Sequence, residues 1–138
     1  RWALVLAYAA GSVPFAILMM RSFFRQFPEE LEQAARIDGC SNLQFFLRVL
    51  LPLSTPALTT LGIFTFMAVW NEFMIALLLI SKNALRTLPL GLMTFQSEYT
   101  TDYALSIAGI NITAIPVILV YVIFQRSFIE GITAGALK

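Results

Sequence analysis

Few side chains in this sequence are equipped for chemistry, and most of them interrupt apolar runs. One group is the island Trp70-Asn71-Glu72 inside the run 56–80. A carboxylate at the centre of a bilayer costs about 2.5–3.5 kcal/mol on insertion scales, so Glu72 is expected to face protein or water. Asn71 and Glu72 then either line a path for a polar solute or a subunit interface, or form a buried pair that holds helices in register. Asn111 and Thr113 interrupt a later run and are expected to hydrogen-bond between helices, at the same path or interface. Covalent and metal chemistry find little support. There is no histidine, Cys40 is the one cysteine, and no GxxxxGK[ST] phosphate loop occurs. Without a clustered acid–base pair or metal-ligand spacing, the chain is expected to be no enzyme and to hold no metal or cofactor.

The elements that position these groups follow from composition. Hydrophobic residues make up 59% of the 138 residues and charged residues only 12%, against about 25% charged in a soluble domain. The net charge of +1 offers no basic surface for nucleic acid. About 20 apolar residues cross a bilayer, and three spans are predicted, over about 2–20, 56–80 and 104–124. Ala7 and Gly11 form a small-xxx-small pair in the first, which Pro14 should kink. Between the last two spans lies the loop 81–103, where Thr87-Leu88-Pro89 can start a short apolar helix that lies at the interface or dips into the bundle. Trp2, Tyr8, Trp70, Tyr99 and Tyr103 read as interface anchors or packing, with stacking on a solute in the path left open for Trp70. The chain opens at Arg1 without a signal-peptide pattern, and three spans are few for a transporter, so it reads as part of a longer protein.

The loop 21–52 is different in kind. Pro28 suits a helix's first turn, Glu29 and Glu30 suit its positive end, Glu32 and Arg36 are four apart, and Gly39 is a natural left-handed stop. A helix over 28–38 is too short to cross a membrane. Ser41 and Gln44 then have capping-box spacing, opening a second short helix to about Leu51. Ala34 and Ala35 give the first helix a slim face for close approach. The predicted unit is helix, one-glycine corner, helix, and it leads directly into the second span. Arg21, Arg25, Arg36, Arg48, Arg126 and Lys138 fall on one side of a three-span chain, and Arg1, Lys82 and Arg86 on the other. The positive-inside rule then places the loop and the tail 126–138 in the cytoplasm.

These residues resemble the permease subunits of bacterial ATP-binding-cassette importers, whose cytoplasmic loop reads E-A-A-x3-G-x9-I-x-L-P. Here Gln33-Ala34-Ala35 is followed by three residues, Gly39, nine residues, and Val49-Leu50-Leu51-Pro52. The flanks ELEQAARIDGCSNLQFFLRVLLPLSTPAL, WNEF at 70–73, RTLPLGL at 86–92 and GITAGALK at 131–138 resemble the carbohydrate branch, in particular the C-terminal half of a maltose-type second permease subunit. The resemblance implies an all-α integral membrane fold, part of a type I importer transmembrane domain: three transmembrane helices plus a cytoplasmic helix–turn–helix coupling loop. It implies residence in a bacterial or archaeal cytoplasmic membrane. The implied partners are a second permease subunit, two ATP-hydrolysing subunits, an extracytoplasmic solute-binding protein and a carbohydrate solute. It implies ATPase coupling through Gln33, Ala34, Ala35, Arg36, Asp38, Gly39, Leu51 and Pro52, and a tail contact to the ATPase through Thr133 and Gly135. One residue departs from the pattern: the family's glutamate falls on Gln33, which accepts hydrogen bonds without charge assistance. Charge-assisted bonds are roughly twice as strong. The loop does not distinguish a carbohydrate from a polyol, an amino acid or a phosphate ester. A membrane scaffold or channel-like subunit without an ATPase is the alternative of another class.

Overall fold

The computed structural model describes residues 2–95 and 103–136, with the side chains of residues 94 and 126–136 left aside. Among the described residues the regular structure is all helical. In chain order the helices are α1 (Trp2–Phe24), α2 (Glu29–Ile37), α3 (Asn42–Leu53), α4 (Thr55–Trp70), α5 (Met74–Leu79), α6 (Leu88–Leu92) and α7 (Tyr103–Ala136). Short 3₁₀ turns lie at Asn83–Leu85 and Met93–Phe95. The chain divides into two compact units, one of Arg1–Ser12 with Phe64–Gln125, the other of Val13–Ile63 with Arg126–Lys138.

Among the described residues two helices are long and apolar enough to cross a membrane, and a third candidate is the bent pair Asn42–Leu53 with Thr55–Trp70 taken as one span. The 23 residues of α1 average a hydropathy of 2.0, and the 23 residues Tyr103–Gln125 of α7 average 2.3. Each is about 35 Å long at 1.5 Å per residue, enough for a hydrocarbon core of about 30 Å. Both run through an internal proline, Pro14 and Pro116. Proline has no N–H, so the carbonyls of Ala10 and Ile112 lose their helical partners at these points. The apolar side chains of both helices are exposed, Leu6, Ile17 and Leu18 on one and Ile107, Ile118 and Ile123 on the other, as a bilayer demands.

The stretch expected as the second span is not one helix. α4 stops at Trp70, the backbone breaks at residues 71–73, and α5 resumes for 6 residues. Alone, the 16 residues of α4 reach about 24 Å, short of the hydrocarbon core. The break falls on the polar island, where Glu72 supplies acceptors to the restarted helix. A second discontinuity precedes α4. The axes of α3 and α4 differ by 69° at Ser54. Two prolines flank this corner, Pro52 and Pro56. Within α3 the turn Phe46–Leu50 is a π-helix, with the Leu51 N–H bonded to the Phe46 carbonyl. The wide turn ends two residues before Pro52, whose ring would collide with the Arg48 carbonyl in a straight α-helix. Ser54 is fully buried, and its hydroxyl donates to the Leu50 carbonyl at 2.6 Å. Ser54, Ala57, Thr60 and Ile63 recur every third residue and are the buried face of this segment.

The third predicted span also extends further than expected. α7 continues past 124 to Ala136, so residues 126–136 of the tail prolong the helix. The side chain of Thr133 and the loop residue Tyr99 lie outside the described residues, and of Gly135 only the helical backbone is described.

Candidate functional site

The corner between α2 and α3 is built by local hydrogen bonds. Pro28 is the N-cap of α2 rather than its first helical residue, with φ −68° and ψ 144°. Three acidic residues fill the first turn, where they complement the helix dipole. At the other end Gly39 has φ +78°, the one positive φ among the described residues. Its N–H donates to the Arg36 carbonyl at 3.0 Å, and the Cys40 N–H donates to the Ala35 carbonyl at 2.9 Å. That pair of bonds is a Schellman cap, which requires a left-handed residue at the glycine position. Two residues later the predicted capping box is present in both directions. The Gln44 N–H donates to Ser41 Oγ at 3.3 Å, and the Ser41 N–H to Gln44 Oε1 at 2.9 Å. One helix therefore closes and the next opens within three residues.

This corner presents a defined surface. Gln33, Ala34, Arg36 and Asp38 are exposed. Arg36 donates to Glu32 at 2.7 Å across one turn, with both side chains at least half exposed. Exposed pairs of this kind contribute about 0.3–0.5 kcal/mol. Ala35 departs from the expected slim face. It is only 8% exposed, so its methyl is part of the chain's own packing, and Ala34 alone of the two alanines faces out. Two apolar residues that the motif does not specify are prominent instead. Ile37 is 87% exposed and Leu43 is 67% exposed, one on each side of the Gly39 corner. The signal in the sequence was present, since Ile37 is an isolated branched apolar residue between Arg36 and Asp38, but the spacing rule gives it no role. Leu51 is half-buried and Pro52 exposed, at the base of α3.

The second group lies in the unit that contains the helix break. Glu72 caps α5 from the residue before its N-cap. It accepts from the Ile75 N–H at 2.6 Å and the Ala76 N–H at 3.1 Å, and from the Tyr8 hydroxyl of α1 at 2.7 Å. The first N–H groups of a helix have no helical partner, so a carboxylate here satisfies two of them and complements the dipole. The open alternatives for Glu72 now have a concrete structural member: it holds the break and ties it to α1. Asn71 is exposed and donates to the Met67 carbonyl in its own helix. Trp70 stacks on Phe66 with ring centroids 5.5 Å apart, and its indole N–H donates to the Thr113 carbonyl of α7 at 3.0 Å.

The expected interhelical bonds from Asn111 and Thr113 are not made by their side chains. Asn111 Nδ2 donates to the Ile107 carbonyl at 2.8 Å, and Thr113 Oγ1 to the Gly109 carbonyl at 2.9 Å. In apolar surroundings a short polar side chain finds its nearest acceptor one turn back on its own helix. The bond between helices comes from the Thr113 backbone. Tyr8, Thr65, Phe66, Val69, Trp70 and Thr87 are among the walls of an open cavity of about 550 Å³ beside the break. Gly109 was not anticipated. A Cβ there would lie 2.3 Å from Leu92 Cδ2, the end of a flexible side chain, so Leu92 rests against bare α7 backbone at this point. Leu90 of the same short helix is 2% exposed, in keeping with a loop helix that dips inward.

Long apolar helices, a broken helix with a capped polar centre, and a polar corner between two short helices are those of a multi-pass membrane protein. The chain belongs to the family described as binding-protein-dependent transport system inner membrane component, whose model matches residues 1–132. It is 44% identical over 137 residues to the probable ABC transporter permease protein YurM of Bacillus subtilis, covering 99% of this chain and 46% of that protein. It is 41% identical over 136 residues to the sulfoquinovosyl glycerol transport system permease protein SmoH of Agrobacterium fabrum, covering 99% and 48%. It is 37% identical over 137 residues to the trehalose/maltose transport system permease protein MalG of Thermococcus litoralis, covering 99% and 49%. The chain thus spans about half the length of the relatives it matches.

Proposed function

We propose that this chain is the C-terminal part of a permease subunit of an ATP-binding-cassette importer for a carbohydrate. It does no covalent chemistry. It alternates access to a solute delivered by an extracytoplasmic binding protein, while separate subunits hydrolyse ATP, and it works beside a second permease subunit. The observation that carries the reading is the α2–Gly39–α3 corner. Its two helices are joined by a Schellman cap and a capping box, so it transmits displacement as a rigid piece, and its exposed tip combines Ile37 and Leu43 with Gln33, Ala34 and Arg36. An exposed apolar side chain rimmed by polar ones is the chemistry of a docking surface. Movement of an ATPase seated there passes through the π-turn and the 69° bend at Ser54 into α4, whose far end is the break at Glu72. The corner and the tail face the cytoplasm in this reading, as the distribution of arginine and lysine predicts. Carbohydrate is favoured over a polyol, an amino acid or a phosphate ester because SmoH and MalG carry transport names for sulfoquinovosyl glycerol and for trehalose/maltose.

The test uses the full-length subunit assembled with its partners. Ile37→Glu places a charge at the exposed tip, 87% accessible, where it disturbs no packing of this chain. It is expected to cut solute-stimulated ATPase activity and ATPase co-purification at least tenfold while the membrane subunits still assemble. Wild-type ATPase coupling in this variant would refute docking through the corner. Ala35→Trp is a poorer probe, because a buried residue disrupts the corner itself.

A further inference from the structure

Arg86 opens a stretch to which no role has yet fallen, and its surroundings are unusual. Its Nε is buried and has no hydrogen-bond partner, and Thr87 Oγ1 beside it is likewise buried without one. Among the described residues the one ion pair is Arg36–Glu32, so the Arg86 guanidinium is matched by no described carboxylate. Both residues line an open groove of about 450 Å³. Its polar lining comes from Asn83, Arg86 and Thr87, and its apolar lining from Leu92, Phe95 and the α7 residues Leu105, Ala108 and Ile112. Leu105 and Ile112 are 51% and 57% exposed, so no described residue covers this apolar wall. They lie within the first ten residues of α7, on the part of the span nearest its N-terminal membrane surface.

The geometry points to a site for one anionic phospholipid, its phosphodiester on Arg86, Asn83 and Thr87 and its glycerol and upper acyl chain along α7. A planar guanidinium matches phosphate oxygens with two parallel bonds. A buried, unpartnered donor is costly until an acceptor arrives, so the site favours a charged oxygen over water. The apolar wall selects a lipid over a free phosphate, because acyl carbons bury against it and an inorganic ion cannot. The groove is contained within one of the two compact units.

The experiment uses the full-length transporter complex, purified in mild detergent, with phosphatidylglycerol as the probe. Native mass spectrometry is expected to show one phosphatidylglycerol retained on the wild type, and added phosphatidylglycerol, but not phosphatidylcholine, to raise the thermal midpoint. Arg86→Gln should weaken retention roughly tenfold, the scale of one lost charge-assisted contact. Ala108→Phe fills the groove from an exposed helix position and keeps the arginine. It should abolish retention too, and it stands as the test if Arg86→Gln does not assemble. Equal retention in wild type and variants overturns the site. So does an equal midpoint shift with soluble glycerol phosphate, or a crosslink from Ala108→Cys to another subunit, which would make the groove a protein contact.

Discussion

Replacing Glu72 by leucine removes three contacts at one stroke: the Tyr8 hydroxyl at 2.7 Å, the Ile75 N–H at 2.6 Å and the Ala76 N–H at 3.1 Å. A hydrogen bond to a charged group contributes about 1.5–3 kcal/mol. The carboxylate is half-buried, so the lower end applies, and the three together amount to about 3–5 kcal/mol. Tyr8→Phe loses one of the three and should cost about 1–1.5 kcal/mol. Glu72→Gln keeps one oxygen acceptor and should fall between the two. The decisive measurement is a double-mutant cycle, Tyr8→Phe with Glu72→Leu, read as denaturation midpoints of the full-length complex in one detergent at fixed ligand concentration. A coupling of about 1–2 kcal/mol is expected, because both changes delete the same bond. Coupling below about 0.3 kcal/mol, which is ordinary additivity, would refute the claim that this carboxylate ties α1 to the helix break.

Gly39→Ala forces a Cβ into the left-handed region at φ +78° and should destabilise the corner by about 1–2 kcal/mol, lowering solute-stimulated ATPase activity; unchanged coupling would show the corner need not be rigid. Gly109→Val meets Leu92 Cδ2, the end of a side chain that can rotate away, so it should cost no more than about 1 kcal/mol and couple to Leu92→Ala, as midpoints of the complex would reveal. Gln33→Glu restores the family's carboxylate on an exposed face, so ATPase coupling should hold or rise, and a large loss would mean that the facing group is not basic.

The sequence alone determined the parts whose causes are local. Gly39, Ser41 and Gln44 act on backbone groups within a few residues, so the corner was legible from spacing, down to the direction of each capping bond. Apolar length likewise marked α1 and the first part of α7. The continuation of α7 was missed because its small residues resemble a tail, and the split of the Ala34–Ala35 face was missed because spacing does not say what lies behind a helix. Tertiary structure decided the rest. Glu72 could be read as an expensive carboxylate, but its partners depend on Tyr8, 64 residues away, and on a helix that restarts beside it. Trp70 finds the Thr113 carbonyl 43 residues on. Gly109 means nothing until Leu92 is packed against it. Backbone caps close over one turn and are written in consecutive letters; which side chain meets which helix is settled only when the helices pack.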